Sequence, residues 1–98
     1  MAVTAAFLAK VKTALRVSFN NLDSQISDLI EEAILDLTAT ADIKSFTTSN
    51  ADALQTGAVI SWVSWKWFND DKFKIAYDDM KAKMAISGQY RSVMLDEE

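Results

Sequence analysis

Between Ala53 and Phe68 the chain reads ALQTGAVISWVSWKWF, with thirteen uncharged residues before Lys66 and all three tryptophans within six positions. At about 100° per residue, Leu54, Gly57, Ala58, Ser61, Trp65 and Phe68 share one helical face, and Thr56, Val59, Ile60, Val63 and Trp67 share the other. A helix apolar on both faces must be covered on both, by a core, a membrane or neighbouring subunits. The face bearing Leu54, Ala58, Trp65 and Phe68 is expected inside the subunit. Val59, Val63 and Trp67 are expected nearer to neighbours.

The chain has 98 residues, one domain's worth, and a domain of that size buries only about 60–65% of its unfolded surface. Covering both faces within one copy is therefore difficult, and an oligomer is expected. A membrane span needs roughly 20 apolar residues, whereas this run is shorter and carries Gln55, Thr56, Ser61, Ser64 and Lys66. The apolar patch Ala5 to Ala9 is too short for a secretory h-region and meets Lys10 and Lys12 at once. A soluble chain without a leader is expected.

No cysteine and no histidine occur, so thiol chemistry, the usual zinc sites and histidine acid–base catalysis have no residues to work with. The net charge is −4, spread evenly as four basic against six acidic residues before Asn50 and six against eight from there on. That balance disfavours an electrostatic grip on nucleic acid.

Without proline and with only Gly57 and Gly88 as glycines, the chain reads as an all-α bundle of about four helices with a flexible C-terminal tail. The first helix runs from the cap Thr4 to Leu15 or Arg16 and buries Phe7, Leu8, Val11, Ala14 and Leu15. The second is capped by Asp23 and reaches about Thr38. Leu22, Ile26, Leu29, Ile30, Ala33, Ile34 and Leu37 form its apolar side, and Asp28, Glu31 and Glu32 its outer one. Leu35 projects into the middle of that acidic face, either as an ordinary surface leucine or as a contact between subunits.

A loop over residues 39–50, anchored by Ile43 and Phe46, leads to the tryptophan helix, capped by Asn50 or Ser49. Asn69, Asp70 and Asp71 then turn the chain into a last helix from about Lys72 to Ser87, closed by Gly88. Phe73, Ala76, Tyr77, Met80 and Met84 form its inner stripe. A second stripe of Ile75, Ala82 and Ile86 points outward. Residues 1–88 are read as the helical domain and 89–98 as a tail ordered only on assembly.

The acidic pairs Glu31–Glu32, Asp70–Asp71 and Asp78–Asp79 diverge by about 100° on a helix and do not form a metal or proton-sharing site. Serine, threonine and tyrosine hydroxyls lack an activating base. No enzyme, metal or cofactor is expected. Lys66 among the tryptophans, and Lys72 and Lys74 beside Phe73, resemble the aromatic–basic interleaving of single-strand binders. Helical spacing puts those aromatics on different faces, which favours packing over nucleic-acid binding. Trp62 and Trp67, on the side away from Leu54 and Trp65, are expected at a subunit or partner interface. Gly57, Ala58 and Ser61 leave room for another helix to approach closely.

The order of segments resembles the small helical head-to-tail connector proteins of tailed bacteriophages, also called adaptor or head-completion proteins. VKTALRV at Val11 to Val17 is similar to that family's V-K-x-x-L-R helix end, and NNLD at Asn20 to Asp23 to its polar turn. SQISDLIEEAILDL at Ser24 to Leu37 resembles its L-I-x-x-A second helix, and GAVISWVSWKWF at Gly57 to Phe68 its aromatic-ended third. DDKFKIAYDDMKAKMAISGQYR at Asp70 to Arg91 looks like a final helix with a Ser-Gly-x-Tyr-Arg closure.

What this resemblance implies is a virion structural protein at the head–tail interface, forming a ring of about twelve copies on assembly. The ring would sit under the phage portal protein, continue the DNA channel and dock the next head-completion or tail protein. DNA would pass through without specific binding, along walls for which Asp28, Glu31 and Glu32 are the candidates. Contacts between copies or with partners are expected at Leu35, Val59, Trp62, Val63, Trp67, Ile75, Ala82, Ile86, Tyr90 and Arg91. The other reading is a small helical partner-binding or regulatory module acting through the tryptophan helix.

Overall fold

The computed structural model describes residues 3–40 and 46–86, and all of its regular structure is helical: α1 (Ala5–Leu15), α2 (Asp23–Thr40), α3 (Ala53–Phe68) and α4 (Asp71–Ala85). The tail from residue 87 onward, with Gly88, Tyr90 and Arg91, lies outside the described residues, as does Ile43. Among the described residues no helix is long and apolar enough to cross a membrane.

Each helix end is set by local chemistry. Thr4 caps α1, its Oγ1 accepting from Phe7 N at 3.2 Å. At the other end Arg16 takes a left-handed conformation, φ 61°. Arg16 N donates to Thr13 O and Val17 N to Lys12 O, so the paired bonds of a Schellman closure form without glycine. Asp23 is the first residue of α2 rather than its cap, and its carboxylate pairs with Lys12 at 2.7 Å. The cap of α3 is Asp52, two or three residues later than Asn50 or Ser49. Asp52 and Gln55 exchange side-chain-to-backbone bonds, both 2.9 Å, in a capping box. The aspartate wins because a glutamine stands three residues after it. Asp70 caps α4 by accepting from Lys72 N, so that helix begins at Asp71.

α3 packs against each of the other three helices, and α1 also packs against α2. The core is one cluster drawn from all four, including Val11, Ile26, Ile30, Leu37, Val59, Val63, Tyr77 and Met84, joined by Phe46 from the α2–α3 connection. That connection is tied back to the start of α1, where Thr4 N donates to Thr48 Oγ1 at 2.9 Å. The inward side of α1 is Phe7, Val11 and Leu15, with Leu8 half-buried; Ala14, expected inside, is exposed.

The face assignment of α3 is corrected by this packing. Val59 and Val63 are both 0% exposed, because partners within the chain lie on both sides of α3. They are core residues, beyond the reach of any neighbouring subunit. Phe68, expected inside, is 48% exposed because it is the last residue of the helix and extends past the packed region. Gly57 does permit a close approach: a Cβ there would stand 3.2 Å from Met80 Sδ of α4.

Candidate interaction surfaces

Trp62 follows its own helix's geometry. At i,i+3 from Trp65 it lies on the same side, ring centroids 5.3 Å apart edge to face, and it also meets Tyr77 of α4 at 5.0 Å. Half-buried between helices of one chain, it belongs mainly to the α3–α4 contact, and its expected place opposite Trp65 is corrected. Its indole Nε1 is shielded from solvent and has no hydrogen-bond partner among the described residues. An orphaned donor of this kind costs about 1–3 kcal/mol.

Beside it sits a polar cluster that sequence reading missed. Tyr77, buried, donates from its hydroxyl to Asp36 Oδ2 at 2.5 Å, and Lys81 Nζ lies 3.0 Å from the same oxygen. Burial first, and then the hydrogen bond and charge of Asp36, push the Tyr77 hydroxyl far above its ordinary value of 10.0. The cluster ties α4 to α2. Tyr77 stood out on the inner stripe of α4, but nothing local marks an aspartate 41 residues earlier as its acceptor.

The α3–α4 turn gathers aromatics that helical spacing places on different faces. Phe68 stacks at a tilt on Phe73, centroids 5.8 Å apart, and Lys72 Nζ lies 5.1 Å from the Phe73 ring. Lys66 Nζ lies 4.3 Å from the Trp65 ring and 5.0 Å from that of Trp62, and Lys74 Nζ 5.4 Å from Trp65. The arrangement still makes a poor anion grip. Asp70 and Asp71 at the turn and Asp78 further along α4 balance the three lysines, and Asp78 pairs with Lys74 at 2.8 Å. Cation–π contact and the i,i+4 pair account for the cluster as a packing device.

The outward residues fall into separate patches. Leu35 is 67% exposed on α2, with Asp28 and Glu32 exposed and Glu31 half-buried on that side. On α4, Ile75 is 70% and Ile86 83% exposed, with Ala82 exposed between them. Trp67 is half-buried and lines an open groove of about 530 Å³ with Gln25, Asp28, Leu29 and Lys66. A second groove, of about 460 Å³, runs along α1.

No family model, curated protein or solved structure matches this chain. Its surfaces must therefore be read from their own chemistry. Among the described residues no group of three or more acidic side chains is placed to hold a metal ion. The described surface offers apolar patches edged by charge, which suit macromolecular contacts rather than a small-molecule pocket.

Proposed function

We propose that this chain is a virion structural protein, a head-to-tail connector that assembles as a ring under the portal, continues the DNA channel and docks the next head-completion or tail protein. The observation that carries this reading is the presence of large exposed apolar side chains on separate elements: Leu35 on α2, Phe68 at the end of α3, and Ile75 and Ile86 on α4. A subunit inside a ring needs two contacts with its neighbours and further ones above and below, hence several distinct patches. The order of segments supports the same role, and the chemistry of the chain assigns it no catalytic step.

The outer face of α2 is the proposed channel wall or its approach. Asp28, Glu31 and Glu32 would let DNA slide by repelling its phosphates, against the neighbouring cation Lys66 in the groove beside Asp28. The test is light scattering and electron microscopy of the purified chain, alone and mixed with a portal protein from the same phage. A ring-shaped layer added to the portal is expected. A chain that stays at or below a dimer in the presence of the portal overturns the reading.

A second reading is favoured by the aromatic α3–α4 turn, where Phe68 stacks on Phe73 and is half in solvent. There the chain would be a partner-binding module that docks a single protein through that turn. Phe68→Ala would then abolish the one interaction and leave no assembly behaviour to measure.

A further inference from the structure

The charges of α1 and α2 are sorted by helix. α1 and its closing residue carry Lys10, Lys12 and Arg16 and no acid; α2 carries Asp23, Asp28, Glu31, Glu32 and Asp36 and no base. Pairing within the chain removes Lys12 with Asp23, and Asp36 with Lys81. On α4 all four lysines have an aspartate within 4 Å. Lys10 and Arg16 on one helix, and Asp28, Glu31 and Glu32 on the other, have no ion-pair partner among the described residues. Two uncompensated surfaces of opposite sign therefore stand on one molecule.

One of the two surfaces carries an apolar knob and the other an open groove. On α2, Leu35 stands clear of the surface, with Glu31 and Glu32 one turn before it. On α1, the 460 Å³ groove is lined by the short side chains of Ala5, Ala9 and Thr13 and by the apolar Leu8 and Val17. Lys10 and Arg16, both exposed, flank the groove without lining it, Lys10 one turn before Thr13 and Arg16 just before Val17. Asp23, at the α2 side of the groove, is already neutralised by Lys12. The same molecule cannot join the two, because Leu35 lies twelve residues, about 18 Å of helix, beyond Asp23.

We propose that Leu35 of one copy seats in the α1 groove of the next, with Glu31 and Glu32 facing Lys10 and Arg16. The contact joins two different surfaces, so it is heterologous: each copy uses its knob on one neighbour and its groove on the other. Repetition gives a ring if the rotation closes. This inference rests on the connector reading and supplies the contact between copies that the reading requires. Glu31 and Glu32 would then serve the subunit contact, leaving Asp28 to the channel.

Because the chain contains no cysteine, cross-linking tests the contact directly. Ala9→Cys and Leu35→Cys both replace exposed residues, so each variant keeps the fold, which circular dichroism checks. Mixed at high concentration with a short bismaleimide, the two variants should link into dimers far more than either alone. The double variant should give a ladder. Glu31→Lys/Glu32→Lys should weaken association about tenfold or more, and mixing those copies with Lys10→Glu/Arg16→Glu copies should restore it.

Absence of a link between positions 9 and 35 in the mixture, or equal linking by Leu35→Cys alone, overturns the contact. Multi-subunit particles seen by light scattering without that link overturn the contact and leave the ring standing. A ladder whose members are all open chains, with no closed species by mass, keeps the contact and overturns the ring.

Discussion

Tyr77 shows how far one side chain can carry an architecture. Its ring fills the space between α3 and α4 against Trp62, while its hydroxyl reaches Asp36 on α2, so α4 is held to two helices at once. Tyr77→Phe keeps the packing and removes the hydrogen bond, leaving Asp36 with Lys81. A loss of about 1–2 kcal/mol in urea unfolding is expected. The raised pKa also sets a pH dependence. The folded state holds the proton that the unfolded state releases near 10.0, so stability from this group is complete below that pH and falls as pH rises above it. Comparing wild type with Tyr77→Phe between about pH 9 and pH 11 isolates the slope that belongs to this hydroxyl. Wild type should lose its advantage across that range, and parallel curves would show that Tyr77 titrates alike in both states.

Gly57 presents a balance of two effects at one position. Alanine there gains about 1 kcal/mol of helix propensity, and the backbone is not in the left-handed region. Against that, the added Cβ stands 3.2 Å from Met80 Sδ, slightly tight. Methionine is unbranched and flexible, and Met80 is only half-buried, so it yields. Gly57→Ala should raise the melting temperature by a few degrees, and a lower value would mean that α4 cannot shift away.

At the scale of elements, side-chain caps rather than prolines set the starts of α1, α3 and α4. The box at Asp52 and Gln55 satisfies two orphan groups at the start of the most apolar helix. Asp52→Ala should cost about 1 kcal/mol in thermal or urea unfolding, with Gln55→Ala costing less because it leaves the charged Asp52 carboxylate capping the positive end of the helix dipole. The elements themselves were legible from sequence. α3 was delimited by its uncharged run, α2 by its alternation of aliphatic and acidic residues, and α4 by the Asn-Asp-Asp turn before it. The caps were less legible, since Ser49, Asn50 and Asp52 are all competent and only the relation of Asp52 to Gln55 distinguishes them. Ala14 was misplaced for a similar reason: alanine carries too little apolar surface to say which side of a helix it takes.

At the scale of the whole molecule, the apolar excess seen in sequence is resolved unevenly. Most of the tryptophan helix is covered within the chain, and the surplus emerges at Phe19 in the α1–α2 connection, on α2, at the α3–α4 turn and along and just after α4. If copies associate through the oppositely charged faces of α1 and α2, raising sodium chloride from about 50 mM to about 500 mM should weaken association, because exposed pairs are screened over a few ångströms at high salt. Sedimentation velocity across that range measures it. Association that strengthens with salt would point to the apolar stripe of Ile75, Ala82 and Ile86 instead.

Sequence alone determined the helical class, the number of described helices and the amphipathic side of α2, because periodicity and caps are local properties written within a few residues of each other. It also singled out Leu35, since an apolar residue inside an acidic face is visible without a fold. Tertiary structure alone decided which side of α3 is core, because a helix apolar all round carries no pattern to orient it. Only the positions of its neighbours assign Val59 and Val63 to the interior and Phe68 to the surface. The same holds for Asp36 with Tyr77, which meet across 41 residues of sequence.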